Sequence, residues 1–457
     1  MELKDLIEQS AHTIKTTPSG ANIIVLNTGA IITPEDSAML MALHSRSNQG
    51  LFGHLKKLEK SGSGRMMDEF YVGYGHKSIG DCGSTYVFIE GISMLAAKAI
   101  QDFQLYNGQE CSTRYIDFGI QPFIVPFGSD GGIAEKLRSF YVESLPKVVQ
   151  HVSFYNPMAE EEEEAKYKKA VNARAFDILR GFLPAGAMTN VAWQVNLRQA
   201  ADRLVYLRNH PLKEVRDVAD ALQGALSVAH TFSFGHKRYE ETEGYVSSWM
   251  SEMNYYNPDR AMFAEGNVRL DHNGIDSELL RGYGSYLKNR PAKTELPKQI
   301  GLTGALRLSF LLDFGSFRDI QRQRAVLQLM PILCTKFGFE EWYMKQLPQE
   351  LQERAGKLLE EFEATKEQLG ISDEDAQYIT PMGYRVPCVI SGDLPAWVYL
   401  VEIRATKFVH PTLQEKAIQM ADILEDKFGE CGLILHVDRN DTGQFDADRG
   451  KHDIVQK

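Results

Sequence analysis

TYVFIEGISMLAAKAIQ, running from Thr85 to Gln101, changes its apolar period partway, and that change decides the fold. Val87 and Ile89 alternate as on a half-buried strand. From Ile92 onward, Leu95, Ala96, Ala99 and Ile100 recur at three and four residues, the spacing of one helix face. The segment predicts a strand that runs straight into a helix. A second stretch of the same build, RLSFLLDFGSFRDIQ (Arg307 to Gln321), lies in the other half of the chain. Each leads directly into a polar motif.

The two motifs differ. The first reads Gln109-Glu110-Cys111-Ser112-Thr113-Arg114-Tyr115. At the matching point of the second half stands Arg322-Gln323-Arg324, followed by apolar Leu327, Leu329, Met330 and Ile332. Later segments also correspond. Glu163 to Leu179 has helical spacing and ends at Gly181-Phe182-Leu183-Pro184. A further helix is expected with Trp193, Leu197, Ala200, Ala201, Leu204 and Leu207 on one face. In the second half Pro381, Trp397, Leu400, Val401 and Ile403 take the equivalent places. The pattern divides the chain into one copy at 1–235, a connector at 236–264, a divergent copy at 265–436 and a charged tail at 437–457. Helix dominates, with short strands before each motif, so the expected fold class is α+β: two tandem, similar domains, each helix-rich with a small antiparallel sheet.

Bulk composition agrees with two packed domains. The chain has 457 residues, of which 43% are apolar and 10% aromatic, too many for one ordinary core and too apolar for disorder. A formal charge of −11 argues against nucleic acid as a partner while allowing a local basic pocket for a small phosphate-bearing ligand. No run of about 18 apolar residues exists to span a membrane, and Met1 to Asp5 lack the opening of a signal peptide. The five cysteines are scattered and outside metal-like spacing, which suggests reduced thiols, no metal and a cytoplasmic protein. The glutamate run Glu160 to Glu164 predicts a solvated face or loop.

In an extended loop, alternating Glu110, Ser112 and Arg114 would point to one side. Arginine offers two parallel donors to a phosphate, serine one more, and glutamate accepts from a pyrimidine edge or ribose hydroxyl. The same pattern also suits a salt-bridged surface strand. In the second motif, Arg318 and Arg322 share a helical face, but Arg322 and Arg324 can meet one anion only if the helix ends near Arg322. Asp319 could neutralise part of that charge. Asn196 and Arg198 could cap or salt-bridge a helix, and Trp193 and Trp397 suit a core.

These segments resemble the flavin-dependent thymidylate synthase family. The resemblance is carried by Gly75-His76-Lys77-Ser78, Phe88-Ile89-Glu90-Gly91, Glu110-Cys111-Ser112-Thr113-Arg114-Tyr115, Arg180 to Pro184, and Trp193 through Asn196 and Arg198 to Arg208. The family carries RHRxxSxNExSxRY after a GHxS…FxxEG segment, then ARxxLP and WxxNxRSLxxFLxLR. Here the first copy has Asp102-Phe103-Gln104 in place of Arg-His-Arg, whereas the second copy has Arg322-Gln323-Arg324 there. The second copy keeps Ile403-Arg404-Ala405 but has Asp393-Leu394-Pro395 in place of Asn-x-Arg.

The resemblance implies FAD-dependent reductive methylation of dUMP to dTMP, with methylenetetrahydrofolate as carbon donor and NADPH restoring the flavin. It implies Glu110, Ser112, Arg114, Tyr115, Arg180 and Arg322 for the nucleotide substrate. Arg322, Gln323, Arg324, Asn196, Arg198, His76 and Ser78 are implied for the cofactor. Arg404, with Arg208 second, is implied for stabilising the pyrimidine anion; a two-unit shift in that ionisation corresponds to about 2.7 kcal/mol. Family sites lie between subunits of a tetramer, so the chain is expected to be a homodimer imitating one, with sites composed from both copies. A flavoenzyme acting on another pyrimidine nucleotide at C5, or a silent nucleotide- or flavin-binding paralogue, would carry the same motifs.

Overall fold

The computed structural model describes residues 11–26, 32–47, 50–254, 267–439 and 445. Along the first half run β1 (Ala11–Thr16), β2 (Asn22–Leu26), α1 (Pro34–His44), β3 (Ser84–Ser93), α2 (Met94–Gln101) and β4 (Asn107–Glu110). Then come α3 (Ile133–Tyr155), α4 (Glu164–Leu179), β5 (Met188–Asn196), α5 (Leu197–Leu207), α6 (Lys213–Ala229) and α7 (Glu240–Asn254). The second half holds β6 (Arg269–Asn273), β7 (Ala305–Asp313), α8 (Phe314–Ile320), β8 (Leu327–Leu329), α9 (Gln349–Leu369), β9 (Arg385–Asp393), α10 (Leu394–Arg404) and α11 (Pro411–Phe428).

Two small antiparallel sheets organise these elements, one ordered β1-β2-β3-β5-β4 and the other β6-β7-β9-β8. Ser93 of β3 pairs with Met188, and Asp313 of β7 pairs with Arg385, so both strand pairs close at the same step before their helices. The chain is therefore α+β, with two similar helix-rich parts. The strand-to-helix switch falls at Ser93 and at Asp313, each an N-cap that accepts from a backbone N–H three residues on. Val87 and Ile89 point into the core as their alternation requires.

The two caps carry the same hydrogen bond with its polarity exchanged. Ser93 Oγ donates to Glu214 Oε2 at 2.5 Å, from the strand end to the first turn of α6. Thr412 Oγ1, in the first turn of α11, donates to Asp313 Oδ1 at 2.7 Å. Hydroxyl and carboxylate have traded sides while both remain buried and satisfied.

Packing divides the chain differently from the repeated motifs. One compact unit contains the described residues up to 116 together with 188–254; the other contains 117–187 together with those from 267 onward. The helices α3 and α4 thus belong, by packing, with the second-half elements. Within that second unit, equivalent loop segments pair reciprocally. Ala185 N donates to Thr380 O at 2.9 Å and Met382 N to Leu183 O at 2.8 Å; Gly186 N donates to Tyr378 O at 2.8 Å and Gly383 N to Gly181 O at 2.7 Å. Pro184 and Pro381 form the bridge between them.

One reading of the sequence needs correction. Trp193 lies in β5, and the helix begins only at Leu197, because Asn196 caps it by accepting from Gln199 N at 2.8 Å. The stretch expected as a connector, 236–264, holds the helix α7; residues 255–264, like most of the tail, lie outside those described. The run from Glu160 to Glu163 is a turn ahead of α4, as a charge run suggests. Among the described residues no helix is long and apolar enough to cross a membrane. The five cysteines form no disulfide, but only Cys388 and Cys431 are buried.

Candidate functional site

In the second unit, α8 stops at Ile320 because its turn is tied down from outside. Gln328 Nε2, on β8, donates to Ile320 O at 3.1 Å and to Gln323 O at 2.9 Å, satisfying carbonyls the helix end leaves open. The chain opens into a turn, as two arginines serving one anion require. Arg322 and Arg324 are exposed on it, and Gln323 between them is buried. With its amide oxygen turned inward, Gln323 accepts from Arg404 Nη2 at 2.9 Å and from Arg404 Nε at 3.3 Å. Arg404 reaches this point from the last residue of α10.

Asp319, on the last turn of α8, is the counter-charge. Burial pushes its carboxyl up, but Arg180, Arg404, Arg322 and Arg318 together outweigh that and hold it below its ordinary value. Arg404 is lowered as well: burial disfavours its charged form, Asp319 resists, and neighbouring Arg322 lowers it further. Arg180 is buried at the turn after α4, where its Nη2 donates to Ser316 Oγ at 3.0 Å. Burial lowers its affinity for the proton, while Tyr343, Asp177, Asp319 and Asp313 more than offset that. Arg180 is thus largely balanced, and the surplus positive charge lies toward Arg322 and Arg404.

A hydrogen-bonded layer fixes Arg180 from below. Ser316 Oγ lies 2.8 Å from Thr412 Oγ1 and 3.1 Å from His410 Nδ1. Tyr343 donates to Asp313 Oδ2 at 2.7 Å. His410 is held neutral, first by burial and then by Arg180. Tyr343 packs so closely over Gly181 that an added Cβ would sit 2.7 Å from its ring. Arg180 comes from the first-half segment, while Arg322, Gln323 and Arg404 come from the second. One compact unit gathers them.

The first unit treats the equivalent turn otherwise. Phe103 stands where Gln323 does and packs edge-on to buried Trp193, with ring centres 6.3 Å apart. Leu207 closes α5 where Arg404 closes α10 and is buried. Asp102 pairs with Lys98 at 3.1 Å. Arg203 lies over Phe103 and donates to Ala99 O, capping the end of α2; burial lowers its pKa to about 10. At this turn an aromatic contact stands where the second unit has the amide and guanidinium.

The Glu110 loop also lies in the first unit. Glu110 ends β4 and accepts from Gln101 Nε2 at 2.9 Å, which orients its carboxylate. Ser112 is extended, but Thr113–Tyr115 form a single 3-10 turn, so Arg114 does not share a strand face with Glu110. The Tyr115 side chain lies outside the described residues. Elsewhere in this unit, His76 and Ser78 are exposed around a short helix. Arg198 donates to Asp81 at 2.7 Å, and Arg208 forks onto Glu243 with its Nε 3.0 Å from both carboxylate oxygens. Asn196 and Arg198 thus make the cap and salt bridge that their types allow. The partners that sequence reasoning missed are Arg180 and Arg404 beside Asp319, Ser316 under Arg180, and Glu243 on Arg208, each distant in sequence from the group it meets.

Comparisons with known proteins follow the same lines. Residues 28–228 match the sequence model of the family described as thymidylate synthase complementing protein. A UPF0159 protein of Chlamydia muridarum is 24% identical over 442 aligned positions, covering 83% of this chain and 81% of that one. A UPF0159 protein of Thermoplasma acidophilum is 24% identical over 498 positions, covering 91% and 98%. Among solved structures, thymidylate synthase X from Helicobacter pylori, crystallised with FAD and dUMP, is 19% identical, covers 47% of this chain and 97% of its own, and has a TM-score of 0.29. Residues 28–228, which hold the Glu110 loop and Arg180, are thus similar in sequence to the thymidylate synthase complementing protein family.

Proposed function

We propose that this chain is a divergent, tandemly duplicated flavin-dependent thymidylate synthase that converts dUMP to dTMP. The observation that carries the reading is the arginine turn: Arg322 and Arg324 exposed on either side of a buried Gln323 that grips Arg404. Surplus positive charge at Arg322, on a turn locked by Gln328, and at Arg404, at the end of α10, fits a ligand with a phosphate and an anionic ring. A flavin fits the same residues, since its diphosphate calls for paired guanidinium donors, and when bound it supplies the hydride that the methylation requires.

The protein's own residues bind and polarise. Arg322 and Arg324 hold phosphate oxygens. Arg404 favours the pyrimidine anion, and Arg180 keeps this end of the cluster positive from beneath. The Glu110, Ser112 and Arg114 loop of the first unit carries acceptor and donor groups of the kinds that a base and a phosphate take. No protein nucleophile is needed, and methylenetetrahydrofolate and NADPH complete the stoichiometry as carbon donor and reductant. A homodimer is the assembly that this reading favours. Growth of a thymidine-requiring bacterium on plasmid expression of the chain tests it: growth without thymidine supports thymidylate synthesis, and failure with soluble, yellow protein points to another pyrimidine nucleotide.

A further inference from the structure

We propose that Gln323 is a positioning residue for Arg404, not a cofactor ligand, and that it aims the guanidinium at the pyrimidine ring of the bound nucleotide. The inference rests on the reading of function just given. Gln323 is 8% exposed, and its one amide oxygen spans two nitrogens of the same guanidinium, at 2.9 and 3.3 Å. With both lone-pair directions of that oxygen taken and the side chain buried, Gln323 offers no acceptor to a ligand on the outer side of the turn, where Arg322 and Arg324 stand.

The grip is built to be rigid. Gln328 holds the Gln323 carbonyl at 2.9 Å, so backbone and side chain of residue 323 are fixed independently. The choice of an amide matters. A glutamate here would also hold Arg404 but would cancel its charge; an amide orients the guanidinium and leaves the positive charge for the substrate. The first unit gives an independent argument. Its equivalent positions are Phe103 and Leu207, both apolar, so the amide and the guanidinium are replaced together. Two residues that change as a pair behave as one device.

The test combines two measurements. In the unloaded protein, a double-mutant cycle of Gln323→Ala and Arg404→Ala, read by urea unfolding, reports whether the two side chains are coupled. In the loaded protein, Gln323→Ala and Gln323→Glu are compared with wild type for kcat, KM for dUMP and bound flavin. Coupling is expected, with flavin content and KM close to wild type and kcat reduced by about 10-fold to 100-fold. Gln323→Glu should be the more damaging, because it keeps the grip and removes the charge. Loss of flavin with unchanged kcat per bound flavin would make Gln323 a cofactor ligand and overturn the proposal, as would absence of coupling or equal kcat in all three proteins. A wild-type chain that makes no thymidylate overturns the functional reading and this proposal together, even where the coupling is found.

Discussion

Pro184 and Pro381 face each other in an antiparallel bridge, and the hydrogen bonds on either side of them are reciprocal. The segment around each proline gives the other what it receives, so the contact is self-complementary. Glycine makes the approach possible. A Cβ on Gly186 would lie 2.5 Å from both Ile124 O and Tyr378 O, and one on Gly383 would lie 2.5 Å from the Phe339 ring and 2.9 Å from Gly181 O. Gly186→Ala and Gly383→Ala should each destabilise the protein by about 1–3 kcal/mol through forced backbone shifts. Urea unfolding checks this; a change near zero for Gly186→Ala would mean the crossing is loose.

Asp319 predicts a pH dependence. Unfolded, its carboxyl titrates at the ordinary 3.8; folded, the surrounding arginines hold it lower. The folded state therefore binds that proton less tightly. Its contribution is fully present above the unfolded value and is lost as pH falls through the folded one. Asp319→Asn should cost about 1–3 kcal/mol at neutral pH, less than a fully buried ion pair because the group keeps some solvent. The gap between variant and wild type should close on acidification below about pH 4. A gap that stays constant down to complete protonation would remove the arginine ring from the account.

Arg208 and Glu243 anchor α7, with Asn209 Nδ2 also donating to Glu243 at 2.7 Å. Glu243→Ala should cost about 1–2 kcal/mol, somewhat reduced by partial exposure. Arg208→Ala should cost a similar amount, and the double variant little more than either single one. Additive losses in thermal or urea unfolding would show that the two act separately.

Arg322 is exposed, so its removal separates function from folding. Arg322→Ala should leave the melting temperature near wild type while turnover falls by about 10-fold to 100-fold, the effect of one lost charged partner. Full activity in this variant would exclude the arginine turn from the site.

Much of the fold was legible in local sequence. The shift in period near Ile92 located the β3–α2 junction, and the second stretch located β7–α8, because strand and helix spacing depend only on neighbours. The end of α8 before Arg322 followed from the geometry that two arginines need. Trp193 was misplaced because an apolar residue just ahead of a helix satisfies helical spacing even when it sits on a strand; only the Asn196 cap separates the two. The helix α7 has mixed polar and aromatic character, and its docking depends on a distant salt bridge. At the site, the resemblance marked Arg322 and Arg404, but their pairing through Gln323 is a contact between residues 81 positions apart. Arg180 joining them depends on the packing of 117–187 with the second-half elements, which no local pattern encodes.

The central claim is thymidylate chemistry. Anaerobic incubation of the purified chain with labelled dUMP, methylenetetrahydrofolate and chemically reduced FAD tests it most directly. Labelled dTMP, formed by wild type and greatly reduced with Arg322→Ala or Arg404→Ala, is the predicted result. Recovery of unchanged dUMP from a flavin-loaded wild-type protein would contradict the account.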